Sequence, residues 1–384
     1  MLTELSLTNF KCFRNATLAL AGLTLLTGIN GSGKSSVIQS LLLLRQSDEK
    51  HLLREGHGLL LDGDYIRLGR ASDALFEFAN EDHLEIAIRL ADGSAARWRF
   101  KYDKEADVMP MEAGPESPAV FHGNIFAAEF CYLQAERLGP RAASETSEYT
   151  VRRQGKIGSD GRYTADFLAK FGTDEIPARG GRRTAHPLTP KGARLTLREQ
   201  VELWMAEISP GVRITTGNFA AIDKVSLQYA FTHPGAISKP YRAGNVGFGL
   251  TYTLPIVTAL LWARPGQLIC VENPEAHLHP RGQVKIAELM CRVAASGVQI
   301  IVESHSEHVL NAIRAAVHDG LLAAEKTAIH FFSRGAGSDA GASVVKTPVI
   351  DADGRLDQWP EGFFDETDKV LDRLMTPREG TSAL

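Results

Sequence analysis

Apolar side chains recur at every second position over residues 2–8 and again across 16–27. They predict strands there, because neighbouring side chains of a strand face opposite ways. After a glycine-rich turn, residues 35–46 carry the strong apolar face of a helix. Period 2 returns between about 65 and 102. There, 83–90 and 95–102 flank Asp92-Gly93, a dipeptide that tolerates the positive φ angles of a tight hairpin. Residues 104–120 read as a loop and 126–133 as a further apolar strand. An amphipathic helix is predicted over 195–208 and a mostly apolar one over 250–263. The short apolar runs 267–271 and 298–302 suit buried parallel strands. There is no internal repeat and no heptad array, so no long coiled-coil arm is expected.

Composition narrows the class. The 384 residues, 44% apolar and 23% charged, correspond to two or three domain-sized units with room for a sizeable core. Forty-two basic against 46 acidic residues leave a net charge of −4, so no global field favours polyanions. Any DNA or RNA partner has to meet a local patch. The candidate is the stretch 137–195, which holds twelve basic and six acidic residues. The four cysteines (Cys12, Cys131, Cys270, Cys291) are scattered, which speaks against a disulfide framework and a zinc cluster. The longest apolar run, 254–263, is about half of the ~20 residues a bilayer span needs. The first residues lack the features of a secretory signal. The expectation is a reduced, cytoplasmic protein with no membrane contact.

One motif carries specific chemistry. Residues 28–35 read Gly-Ile-Asn-Gly-Ser-Gly-Lys-Ser, the G-x-x-x-x-G-K-[ST] pattern, placed between a predicted strand and a predicted helix. Gly28, Gly31 and Gly33 let backbone N–H groups of Asn30, Ser32 and their neighbours converge on phosphate oxygens at a helix N-terminus. Lys34 is placed to reach the β and γ phosphates of ATP. The Ser35 hydroxyl, followed by Ser36, is placed to hold Mg²⁺. A second acidic element, residues 268–275 (Leu-Ile-Cys-Val-Glu-Asn-Pro-Glu), is an apolar strand ending in acid, 238 residues beyond Lys34.

With these two elements the sequence resembles the ABC-type ATPase heads of the SMC, RecF and overcoming-lysogenization-defect groups. More narrowly it resembles prokaryotic AAA-family ATPases with such a head and a short C-terminal domain of unknown function. Nearly the whole chain is covered. The fold implied is α/β, a P-loop NTPase of ABC-head type with a mixed sheet, an antiparallel β subdomain, an inserted helical lobe and a short C-terminal cap. The division implied is 1–136 for the N-terminal ATPase lobe, 137–244 for the basic helical lobe, 245–335 for the rest of the core, and 336–384 for the extension. The resemblance makes Lys11 a basic residue near nucleotide and Gln134 the Q-loop glutamine that senses Mg²⁺ and the γ-phosphate. It makes Asn245, Gly247 and Gly249 the signature loop, residues 277–279 (His-Leu-His) the D-loop, and His305 the switch histidine. Glu272 becomes the Mg²⁺-linked acid, and residues 359–365 the family's C-terminal extension.

Two departures follow from the comparison with the family's D-E-P pattern. Glu272 stands for the aspartate, and Asn273 for the glutamate that activates water. An amide is no useful base near neutral pH. Slow hydrolysis is therefore expected, or hydrolysis that relies on Glu275, His305 or a partner. The implied mechanism is a homodimer that sandwiches ATP between one chain's P-loop and the other's signature loop. Genome maintenance or antiviral defence is the implied setting. Two other classes stay open: a nucleotide-gated scaffold that holds an effector, and a nuclease effector using Asp351 and Asp353. For the latter pair, a turn built by Asp and Gly354 is the alternative account.

Overall fold

The computed structural model describes residues 1–177, 184–336, 340–360, 362 and 366–376. Its centre is a six-stranded sheet in the order β17-β16-β3-β15-β14-β8. These strands are β3 (Leu23–Gly28), β8 (Cys131–Leu133), β14 (Leu268–Glu272), β15 (Gln299–Glu303), β16 (Thr327–Arg334) and β17 (Ser343–Lys346). All neighbours are parallel except β17, which pairs antiparallel with β16. Both faces are covered, which is why the central strands are apolar runs rather than alternating ones. Alternation still sorts the side chains. Ile269, Val271, Ile300 and Val302 enter one core, while Leu268, Cys270 and Ile301 enter the other.

The second core is closed by a wholly antiparallel sheet in the order β2-β1-β5-β6-β7-β4. It comprises β1 (Leu2–Phe10), β2 (Phe13–Ala19), β4 (Gly58–Leu60), β5 (His83–Leu90), β6 (Ala95–Lys101) and β7 (Val108–Ala113). Helix α1 (Lys34–Glu49) lies between the two sheets and is buried around most of its circumference, from Val37 through Leu44. A helix apolar on nearly every side is stable only as such a filling. On the opposite face of the central sheet lie α5 (Phe248–Trp262), α6 (Pro280–Ala295) and α7 (Glu307–His318). The segment 137–244 covers them with helices α3 (Thr164–Phe171) and α4 (Leu197–Ala206) and a five-stranded sheet. That sheet is built on the hairpin of β10 (Val212–Phe219) and β11 (Lys224–His233).

Several expectations are corrected. The loop over 104–120 contains β7, because Val108 and Met109 extend the antiparallel sheet toward β4. The strand over 126–133 shrinks to β8, since residues 121–130 turn to pack Phe121, Phe126 and Phe130 into the second core. The inserted lobe is only partly helical. The boundary at 335/336 cuts the β16–β17 hairpin, so the head's own sheet continues into the segment expected to be an extension. Of residues 359–365, positions 361 and 363–365 lie outside the described residues. Trp359 takes the Arg314 guanidinium over its ring at 5.5 Å.

Candidate functional site

The P-loop leaves the tip of β3. A side chain at Gly28 (φ 132°) would put its Cβ 2.2 Å from the Phe332 carbonyl of β16, so only glycine fits this close approach. Gly31 and Gly33 also take positive φ, and the loop runs directly into α1. Lys34 folds back on its own loop, donating to the carbonyls of Gly28 at 3.0 Å and Ile29 at 2.7 Å. Burial pulls its ammonium below the ordinary lysine value, offset in part by Glu303. A cleft of about 710 Å³ opens over the loop. Of the residues singled out in the sequence, Lys11, Asn30, Gly31, Ser32, Gly33, Lys34, Ser35, Ser36 and His305 line it, together with Asn273 and Glu303.

Glu303 is the residue that motif reading missed. It ends β15, directly opposite Glu272 in the ladder, and its carboxylate accepts the Ser35 hydroxyl at 2.9 Å. Burial pushes its carboxyl up to about 7, and Glu272 and Glu275 push the same way against Ser35 and Lys34. Its second oxygen has no partner among the described residues, and neither has Asn273 Oδ1 or the outer oxygen of Glu275. Buried oxygens are seldom left so. Orphaned acceptors beside a lysine and a serine hydroxyl fit a divalent cation that travels with phosphate oxygens. A signal was available: 299–303, like 268–272, is an apolar strand that ends in a glutamate.

The other predicted residues divide. Glu272 faces away from the loop, where its carboxylate accepts the Ala135 N–H at 2.9 Å and the Tyr132 hydroxyl. Burial raises its pKa. Gln134 is not among the residues lining the cleft, and its carboxamide donates to the Glu136 carbonyl. Glu275 accepts the backbone N–H of His305 at 2.8 Å, so it holds the loop after β15 in place. The His305 imidazole is kept below its ordinary pKa by burial and by Lys34, which favours the neutral ring. Asn245, Gly247 and Gly249 line a different cleft with His277 and His279. Gly249 is pressed on the His277 carbonyl, whereas nothing lies within 4 Å of a Cβ at Gly247.

Arg137 joins these parts. It is 3% exposed, and its guanidinium donates to the carbonyls of Gln134 (2.8 Å), Glu272 (2.7 Å), Asn273 (2.8 Å) and Tyr252 (3.1 Å). It also lies over the Tyr252 ring at 4.6 Å. One side chain thus fastens the chain after β8, the end of β14 and helix α5. Sequence reading had counted it as part of a basic patch.

Three family models match successive parts of the chain. Residues 1–106 match the model described as "AAA ATPase domain". Residues 195–311 match "AAA domain, putative AbiEii toxin, Type IV TA system". Residues 322–374 match "Protein of unknown function (DUF3696)". Two segments of the chain thus match AAA domain models, and its fold is similar to that of Smc heads. The fold is similar to that in the crystal structure of the Smc head domain with an extended coiled coil bound to the C-terminal domain of ScpA derived from Pyrococcus furiosus. That structure has a TM-score of 0.53 and 13% identity, with 98% of this chain and 100% of the other covered. A second Smc head, bound to the C-winged helix domain of ScpA, gives 0.52 at 15% identity, covering 91% of this chain and 98% of that one. Among curated proteins, the Old nuclease of Escherichia phage P2 is 21% identical over 355 residues, 82% of this chain. The chain spans 58% of that relative's length.

Proposed function

We propose that this chain is an ATP-hydrolysing head that pairs with a second copy around bound ATP. The observation that carries the reading is the Ser35–Glu303 pair beside Lys34, with unpartnered acceptors on Glu303 and Asn273 facing the same cleft. Ser35 and Glu303 are the groups placed to hold Mg²⁺, and Lys34 to hold phosphate once it exchanges its loop carbonyls for ligand oxygens. Bound Mg²⁺ supplies positive charge against the transferring phosphoryl group. Glu275 fixes the backbone of His305, which lines the P-loop cleft. With an amide at 273 and the Glu303 carboxylate assigned to Mg²⁺, the usual base for water is missing, and turnover is slow. The signature cleft lies apart from the P-loop cleft, the arrangement that a two-chain sandwich needs. Steady-state turnover with Mg²⁺, with Lys34→Ala as the blank, tests the chemistry. Equal rates in the two proteins would overturn it. Light scattering with and without ATP tests the pairing: a monomer mass under both conditions rules it out, and Gly247→Arg is expected to keep the chain monomeric.

Asn273 favours a second reading, a nucleotide-gated scaffold that binds ATP tightly and holds an effector; binding without turnover would select it. A nuclease using the C-terminal acids has less support. The Asp351 carboxylate is spent on the N–H groups of Asp353 and Arg355 in a turn closed by Gly354 (φ 74°). A nucleic-acid role through 137–195 also weakens. Arg137 is buried, and Arg162, Lys170 and Arg194 are paired with Asp160, Asp166 and Glu175. Arg179, Arg182 and Arg183 lie outside the described residues. A role in prokaryotic genome maintenance or antiviral defence, in the cytoplasm, belongs to the same proposal. Among the described residues no helix is long and apolar enough to cross a membrane.

A further inference from the structure

A second cavity, of about 490 Å³, lies well away from the P-loop. Its walls are the end of α1, the edge strand β8, the turn at 152–157, α3 and the end of α5. Its volume is within the roughly 300–1,000 Å³ usual for small-ligand sites. Arg45 and Glu49 of α1 border it, 11 and 15 residues beyond Lys34, so it is ~17–23 Å along the helix axis from the phosphate loop.

Its chemistry has two halves. One wall is aromatic: Phe171 and Trp262 are half-buried, with ring centroids 5.3 Å apart and planes tilted by 35°. The other half is cationic, with five basic side chains against two carboxylates around the cavity. Arg45 is consumed by Glu49 and the carbonyls of Ile125 and Ala127. The others are not. Arg152 and Arg153 reach Glu148 only at 3.9 and 3.8 Å, and Arg264 forms no ion pair among the described residues. Lys156 lies 3.7 Å from Glu49 and 3.2 Å from the Tyr65 hydroxyl. Exposed guanidinium groups, two of them loosely paired with one glutamate, at the mouth of a part-aromatic cavity suit a ligand with phosphate at one end and a flat ring at the other.

We propose that this cavity is a second nucleotide site, with the base against Phe171 and Trp262 and the phosphate on Arg152, Arg153 and Arg264. It stands independently of ATP use at the P-loop. Its walls belong to the helix that begins at the P-loop, the helix that follows the signature loop and the turn that leads into β14. A ligand here touches the far end of each element that carries an ATPase motif. A free mononucleotide and the end of a single strand share the recognising chemistry.

The test is titration calorimetry on full-length Lys34→Ala protein, with AMP, UMP and the tetranucleotide (dT)4 as probes. Saturable one-site binding is expected. The Arg153→Glu/Arg264→Glu pair should weaken it at least 10-fold, and so should Trp262→Leu. The two arginines are exposed, so their reversal leaves the core intact. Binding of the mononucleotides assigns a free metabolite, and binding of (dT)4 alone assigns a strand end. Binding of none of the probes, or binding indifferent to the charge reversals, overturns the proposal. Neither negative result touches the P-loop reading, whose lysine is already absent from this protein.

Discussion

The tips of β14 and β15 are two nearly identical pieces of chain with different fates. Each is an apolar five-residue strand ending in a glutamate, and Glu272 and Glu303 face each other in the parallel ladder. Glu303 meets the Ser35 hydroxyl, while Glu272 turns to Ala135 and Tyr132. The cause is strand order. β15 pairs with β3, which carries the P-loop, whereas β14 lies one strand further out, next to β8. At ~4.8 Å per strand, the outer acid begins roughly 5 Å more distant and is captured by the edge. An acid's role here follows from which strand it ends, not from its resemblance to a motif.

Four measurements sharpen or break this contrast. The largest effect is expected from Glu303→Gln, which should lower ATP turnover by ~10²-fold or more, against less than ~10-fold for Glu272→Gln. The reverse ranking in steady-state kinetics would return the leading role to β14. Arg137→Ala strips the donor from four buried carbonyls that brace the β14 tip. A loss of about 3 kcal/mol in denaturant unfolding is expected, with Arg137→Lys recovering only part of it. Glu275→Ala frees the His305 backbone and should reduce turnover by ~10-fold. Glu275→Gln, which keeps an acceptor, should restore most of it. Equal losses in the two variants would make the charge, rather than the positioning, the active property.

The smallest effect is in pH. The Glu303 carboxyl is raised to about 7, above its ordinary value, so its protonated form is the one the empty fold favours. Its contribution to stability is complete below the ordinary carboxylate range and is lost as pH rises through 7. The unliganded protein should therefore melt a little lower at pH 8 than at pH 5.5, and Glu303→Gln should flatten that slope. Mg²⁺ requires the carboxylate, so Mg²⁺-dependent nucleotide binding should strengthen over the same interval. Slopes of the same size in Glu303→Gln and wild type would detach the effect from this residue.

The P-loop, its helix and the hairpin at 83–101 were legible because each rests on local rules: glycine spacing, period and turn chemistry. Glu303 was hidden because it stands two positions before His305, the residue that the family resemblance marks. Its role depends on a contact 268 positions away along the chain. Arg137 was misread for a similar reason, since composition counts charges and does not show which are buried. The short β8 could not be separated from the preceding apolar turn, because burial without regular hydrogen bonding leaves the same hydrophobic trace.

The contact between Gly28 and Phe332 bears on how such a chain is inherited. The P-loop glycine comes from the segment matched at 1–106, and the backbone it leans on comes from the segment matched at 322–374. The Ile29 N–H donates to the Phe332 carbonyl at 3.3 Å, and the Ser343 N–H donates to Cys12 at 2.8 Å. The two segments are therefore not interchangeable modules, although separate family descriptions cover them. A recombination event that replaced the C-terminal one would also replace part of the wall behind the phosphate loop. The pair is expected to be passed on together and to change together.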